Sequence, residues 1–152
     1  MIHIFEQKQH VPSPRESLFA FFADAQNLER ITPPQLRFEI LRRDPGEVHQ
    51  GMHIEYRLRL FGIPFGWKTL IESYEQNVSF VDLQLKGPYK LWRHTHTFED
   101  DGAGTLMRDR VEYELPLGPL GYIAHALFVR RQIQQIFAFR RTFIDELFKK
   151  LG

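Results

Sequence analysis

The sequence contains no cysteine among its 152 residues, which excludes disulfide frameworks, thiolate zinc sites and a cysteine nucleophile. That absence fits a reducing compartment, and a cytoplasmic location is the expectation. Charge of one sign is missing too: 20 basic residues stand against 19 acidic ones, so no global field recruits nucleic acid or an anionic surface. Long hydrophobic runs are absent. The longest uncharged stretch, Leu115 to Val129, carries Pro116, Pro119 and His125 and falls short of the roughly 20 residues a spanning helix needs, so no integral membrane segment is expected. The opening residues, Met1-Ile2-His3-Ile4-Phe5-Glu6, lack a basic segment followed by an apolar one, and the mature chain is expected to start at Met1. No glycine-rich phosphate loop occurs, since Gly102-Ala103-Gly104 reads as a hairpin turn with no following helix, and no cofactor is expected. What the sequence does have is phenylalanine. Fourteen of them lift the aromatic fraction to 14%, more ring surface than a small core requires, and a ring-lined cavity is the expectation.

Length and a 43% apolar content predict one domain over residues 1–152. Ile2 to Val11 reads as an opening strand ended by Pro12. Ser13-Pro14-Arg15-Glu16 then has the form of a capping box, with a hydroxyl at the N-cap, proline at the first helical position and a carboxylate three residues past the cap. Leu18, Phe19, Phe21 and Phe22 follow at helical spacing, and a second short helix is predicted over Asn27 to Ile31, ahead of Thr32-Pro33-Pro34. From Leu36 to Leu115 the period is two. Six strands are predicted: Phe38–Arg43, Met52–Leu60, Trp67–Tyr74, Val78–Lys86, Leu91–Glu99 and Thr105–Leu115, joined by turns short enough for antiparallel hairpins. After Pro116-Leu117-Gly118-Pro119-Leu120-Gly121 the pattern is helical to the end, with Ala126, Val129, Ile133, Phe137, Ile144, Leu147 and Leu151 on one face. The fold class is α+β: a seven-stranded curved antiparallel sheet around a long C-terminal helix, with two short helices after the first strand.

That order resembles the helix-grip fold. The runs Gly87-Pro88-Tyr89-Lys90-Leu91-Trp92-Arg93-His94-Thr95-His96-Thr97-Phe98 and Asp109-Arg110-Val111-Glu112-Tyr113-Glu114-Leu115-Pro116-Leu117-Gly118, with Asn27-Leu28-Glu29-Arg30-Ile31-Thr32-Pro33-Pro34, are similar to small bacterial members of the SRPBCC superfamily. This superfamily is START-like and related to polyketide cyclase/dehydrase proteins. The resemblance spans essentially the whole chain. It implies a cavity for a hydrophobic small molecule such as a lipid, quinone or polyketide, held for carriage or for cyclisation; the fold does not choose between these roles.

On strand Leu91–Glu99 the residues Trp92, His94, His96 and Phe98 share a face, and the large apolar pair assigns that face to the cavity. With Phe98 opposite Met107, His96 falls opposite Asp109, His94 opposite Val111 and Trp92 opposite Tyr113. His96 and Asp109 are the candidate acid/base pair. The same residues also read as a buried polar network satisfying itself. His-x-His plus one carboxylate matches a ligand set for iron or zinc, but residues two apart on a strand share a face through pleating alone, and no metal is assigned.

Arg140 interrupts the apolar face of the long helix between Phe137 and Ile144. It pairs with a cavity-side acid such as Asp109 or Glu72, covers apolar surface with its alkyl stem while its head reaches solvent, or anchors the polar head of a ligand, which an acidic amphiphile would suit. Tyr56, Leu58 and Leu60 on one strand and Val81, Leu83 and Leu85 on another extend the predicted lining. The expected ligand-binding set is Tyr56, Leu83, Trp92, His94, His96, Asp109, Tyr113, Phe137 and Arg140. Phe61-Gly62-Ile63-Pro64-Phe65-Gly66-Trp67 reads as an apolar loop that caps the cavity, packs in the core, or meets a protein or membrane through Phe61, Ile63 and Phe65. Arg130-Arg131 and Arg140-Arg141 read as a solvated helix face, not a nucleic-acid stripe. Three functions remain open: a hydrophobic-ligand carrier, a cyclase/dehydratase in which Asp109 orients His96 while Arg140 or His94 stabilises an enolate, and an interaction module.

Overall fold

A computed structural model of the chain describes residues 1–149. Strand β1 (His3–Val11) leads into helices α1 (Arg15–Phe22) and α2 (Asn27–Arg30) and a 3₁₀ turn at Pro34–Leu36. Strands β2 (Glu39–Arg43), β3 (His53–Leu60), β4 (Ile63–Glu75), β5 (Ser79–Lys86), β6 (Leu91–Asp101) and β7 (Gly104–Glu114) follow as an antiparallel meander. The chain continues through α3 (Pro119–Ala124), a π-helical turn (His125–Val129) and α4 (Arg130–Lys149). The sheet order is β1-β7-β6-β5-β4-β3-β2, so the opening strand closes the sheet beside the last one. This is the helix-grip arrangement expected from the strand pattern. Among the described residues no helix is long and apolar enough to cross a membrane.

The C-terminal helix is fixed to the sheet edge by bonds from one strand. Gln9, 2% exposed, donates from Nε2 to the Arg141 carbonyl at 2.9 Å and to Asp145 Oδ1 at 2.8 Å, and Arg141 Nη1 donates back to the Lys8 carbonyl at 2.6 Å. Val129, Ile133, Phe137, Ile144 and Phe148 are buried beneath it. Leu151 lies outside the described residues. Ala126, expected on the same face, is exposed, because the π-turn inserts an extra residue and rotates the preceding turns relative to α4. Under α1, the rings of Phe19 and Phe98 meet edge to face at 5.2 Å, and both are at most 2% exposed. Burial of each contributes about 1.5–3 kcal/mol.

Two local expectations fail. The capping box does not form: Ser13 Oγ bonds the Pro14 carbonyl at 3.3 Å instead of a helix N–H. Ser13 is held by the sheet, its N–H donating to the Val11 carbonyl at 2.8 Å and its carbonyl accepting from Thr105 Oγ1 at 2.7 Å. The segment from Phe61 to Trp67 is not a loop. Leu60 pairs with Ile63 and Leu58 with Phe65, so β3 and β4 form a long hairpin turned by Phe61 and Gly62 alone. Both have positive φ, 54° and 78°, the type I′ geometry that favours asparagine followed by glycine. A phenylalanine there is strained and gains little burial, being 58% exposed. Phe61→Asn is expected to raise the unfolding free energy by up to about 1 kcal/mol, read as a higher urea midpoint at constant slope.

Candidate functional site

Between the concave face of β3–β6 and α4 lies a cavity of about 130 Å³. A dry cavity of about 150 Å³ holds a benzene ring, so this one admits a single ring-sized group. Its walls are mainly apolar, with Phe22, Leu58, Trp67, Phe80, Trp92 and Phe137 among them. Trp67 and Tyr56 stack at 5.7 Å, and Trp92 meets Trp67 edge to face at 5.4 Å. One part of the wall is polar: Asp82, His94, His96 and Arg140.

Strand geometry brings the polar groups together. Register across β6 and β7 places His96 opposite Asp109, His94 opposite Val111 and Trp92 opposite Tyr113, as the sequence predicts. The hydrogen bonds run diagonally instead. Asp109 Oδ1 accepts from His94 Nε2 at 2.8 Å, while His96 Nε2 lies 2.6 Å from Asp82 Oδ2 on the neighbouring β5. Ionised carboxylates only accept, so each imidazole donates from Nε2. The remaining contacts, His96 Nδ1 to Asp109 and His94 Nδ1 to Asp82, are longer at 3.5 and 3.6 Å. Stacking fixes the ring positions: Phe80 lies on His96 at 4.1 Å and His96 on His94 at 3.6 Å.

Burial and neighbours set the charge states. Burial first, and then His94, push the pKa of His96 down to about 4, so it is neutral near pH 7 despite the Asp82 bond. Burial alone would raise the Asp109 carboxyl, but its bond to His94 and the fields of His94 and Arg140 hold it at about 2. Asp82 is likewise kept below the usual carboxylate range: desolvation opposes ionisation, and His94, His96 and Arg140 outweigh it. Burial raises the Tyr56 phenol well above its ordinary value.

Arg140 enters from α4, with its guanidinium 4.8 Å above the Phe137 ring and Nη1 3.7 Å from Asp109 Oδ1. That distance is an ion pair without a hydrogen bond. Among the described residues, Arg140 Nε and Nη1 and the Trp67 indole Nε1 are buried without any hydrogen-bond partner. Glu72, the other acid considered for Arg140, instead binds Arg93 at 3.0 Å near the surface.

Asp82, His94 and His96 could supply three metal-ligand atoms within 4.8 Å of one another. Their orientation is poor for chelation. Imidazole lone pairs lie in the ring plane, and two planes 30° apart with centroids 3.6 Å apart do not converge on a point about 2.1 Å from both nitrogens. A shared metal would require one ring to leave the stack.

Of the sequence-derived set, Tyr56, Trp92, His94, His96, Phe137 and Arg140 line the cavity. Asp109 sits behind the wall, where it holds His94 and Arg140. Tyr113 is also outside it, its hydroxyl 2.7 Å from His125 Nε2, with His3 stacked on His125 at 3.6 Å. That trio assembles histidines that no sequence pattern connects. Leu83 is misplaced: Phe80 and Asp82 face inward, so Val81, Leu83 and Leu85 lie on the outer face of β5. Asp82 is the cavity-lining acid that the sequence pattern did not single out. Its signal is a carboxylate at even spacing from Phe80, on the face opposite Val81, Leu83 and Leu85.

Comparison with known proteins supplies the family. A search of curated proteins finds no match. Solved structures similar in fold include TTHA0849 from Thermus thermophilus, with TM-score 0.77, 16% identity and 99% of each chain covered. A START superfamily protein from Mycobacterium smegmatis matches with TM-score 0.73, 14% identity and 99% of each chain. The Zhui aromatase/cyclase from a Streptomyces species matches with TM-score 0.73 and 11% identity, over 99% of this chain and 95% of that one. At these identities the likeness concerns fold alone. The sequence model of one family, described as polyketide cyclase/dehydrase and lipid transport, matches residues 11–150, so the chain belongs to that family.

Proposed function

We propose that the protein binds a hydrophobic small molecule in the cavity between sheet and α4, with a ring-sized apolar group inside the aromatic walls and an acceptor oxygen against Arg140. The observation that carries this reading is the set of buried, unpartnered donors, Arg140 Nε and Nη1 and Trp67 Nε1, on the walls of an apolar cavity. Buried donors without acceptors are costly, and a bound oxygen relieves that cost. The ionised Asp82 and Asp109 beside the guanidinium favour a neutral carbonyl over the acidic head group considered from sequence, since a full anion meets two like charges. Burial of the ring supplies most of the affinity, and the oxygen sets orientation.

Acetophenone and α-methylstyrene have nearly the same shape and differ in the carbonyl, so they separate the two contributions. Both are expected to bind, measured by ligand-observed NMR. Arg140→Met is expected to weaken acetophenone about tenfold, the worth of a hydrogen bond to a charged donor, while leaving α-methylstyrene unchanged. Equal losses for both, or none for either, would refute the assignment of Arg140.

A second reading, acid/base chemistry on the bound carbonyl compound, is favoured by one observation: His96, neutral near pH 7 and bonded to Asp82 at 2.6 Å, lines the same cavity as Arg140. In it, His96 takes a proton at Nδ1, the nitrogen not bonded to Asp82, from the carbon next to the carbonyl while Arg140 stabilises the enolate oxygen. Deuterium incorporation into the acetophenone methyl group in D₂O, lost in His96→Gln, is the expected signature. Exchange no faster than in buffer would leave a binding protein without this chemistry.

A further inference from the structure

Exposed apolar side chains of the β3–β4 tip and of the π-turn meet on one face. Phe61 and Ile63 at the β3–β4 tip, Leu120 and Ile123 on α3, and Leu127 and Phe128 in the π-turn are each more than half exposed. The Phe61 and Phe128 rings meet edge to face at 6.0 Å, joining hairpin and helix into one patch. A groove beside it is lined by Phe61, Leu127 and Phe128 together with Arg59 and Arg131. Leu36 and Ile136 line both this groove and the central cavity, so the patch is continuous with the cavity wall.

The charge on these segments is one-sided although the whole chain is nearly neutral. No acidic residue occurs between Glu55 and Glu72 or between Glu114 and Asp145, while Arg59, Arg130 and Arg131 are exposed. Phe61 adds a further pointer. It occupies a left-handed turn position where asparagine or glycine is favoured, and its exposed ring returns little to the fold, which fits selection for a contact outside the chain.

We infer that this face docks the protein on an anionic phospholipid bilayer, with Phe61, Leu127 and Phe128 at the acyl boundary and Arg59 and Arg131 toward the phosphates. Exposed apolar side chains rimmed by arginines are the chemistry of an interfacial anchor. A second copy of the chain is a poorer occupant. Symmetric pairing through this face would bring the same arginines together with no carboxylate from these segments to answer them. The inference goes beyond the cavity reading and holds whichever molecule the cavity takes, since the acetophenone titration involves none of these residues.

The test is cosedimentation with phosphatidylcholine vesicles, pure and with one-third phosphatidylglycerol, at low and high salt. The expected result is binding to the anionic vesicles that falls as salt is raised, with little binding to the neutral ones. Phe61→Asn combined with Phe128→Gln is expected to reduce partitioning tenfold or more, and Arg59→Gln with Arg131→Gln by a similar factor. Phe61→Asn suits the turn, so its loss of binding is not loss of folding, and circular dichroism of each variant checks this. No binding to either vesicle, salt-independent binding equal on both, or unchanged binding by both double variants overturns the inference. So does a dimer in native mass spectrometry that the apolar double variant abolishes, which would assign the face to a second copy.

Discussion

Asp109→Ala is expected to lower the unfolding free energy by about 3–5 kcal/mol, the cost of breaking a buried ion pair from one side. Asp109 is 2% exposed and serves two groups at once: His94 Nε2 at 2.8 Å and Arg140 Nη1 at 3.7 Å. Removing its carboxylate strands the His94 donor and leaves Arg140, itself short of hydrogen-bond partners, with only Asp82 as a compensating charge in this wall. Asp109→Asn retains the size and one acceptor oxygen, so it should keep the His94 bond and lose mainly the charge term, a smaller effect. Urea denaturation of both variants measures the difference. An alanine variant within about 1 kcal/mol of the parent would mean that the network contributes little net stability, and would remove the case for Asp109 positioning the wall.

The position of Asp109 behind the cavity clarifies the division of labour. His94, His96, Asp82 and Arg140 face the interior space, while Asp109 touches two of them from the far side. In the proposed reading it is a positioning residue, and the acid that lines the cavity beside His96 is Asp82.

How far this is legible in the sequence depends on how local each constraint is. Trp92, His94, His96 and Phe98 can be aligned with Tyr113, Val111, Asp109 and Met107 because β6 and β7 are joined by a tight hairpin that fixes register within a few residues. The pairing of histidines with carboxylates is not legible, because it is decided by the Phe80–His96–His94 stack and by side-chain reach across diagonals. On β5 the alternation misleads. Val81, Leu83 and Leu85 are apolar residues on the outer face, and Asp82 among them looks like a solvent position until the sheet is closed. The π-turn ahead of α4 is equally silent in a fixed plot at about 100° per residue, which is why such a plot assigns Ala126 to the core. The Phe61–Trp67 segment looks like a loop because its glycines and proline are turn residues. Only its cross-strand pairing shows that Gly66 and Pro64 extend a strand.

Acidification should lower the stability of the protein in two pH windows, and the signs follow from the shifted groups, His96 and Asp109 foremost. His96 is held neutral in the native state with a pKa near 4, whereas in the unfolded chain it titrates near 6.5. Between those values the unfolded state binds more protons, so native stability falls as pH drops from about 6.5 to 4, by on the order of 3 kcal/mol. Asp109 acts next. Its native pKa of about 2 lies below its ordinary 3.8, so its contribution is intact above 3.8 and is lost as pH falls through 2. The upper window is the diagnostic one, because few carboxylates titrate there. His96→Gln keeps an N–H to offer Asp82 but cannot be protonated, so it should reduce the slope of the melting temperature between pH 6.5 and 4, leaving the part due to His3 and His125, which burial also holds below 6.5, and leave the lower limb in place. A parent curve already flat in that upper window would show that His96 carries a proton in the native state. It would then be the acid of this cavity and not its base, and the enolate-forming step proposed for it would fail with the same measurement.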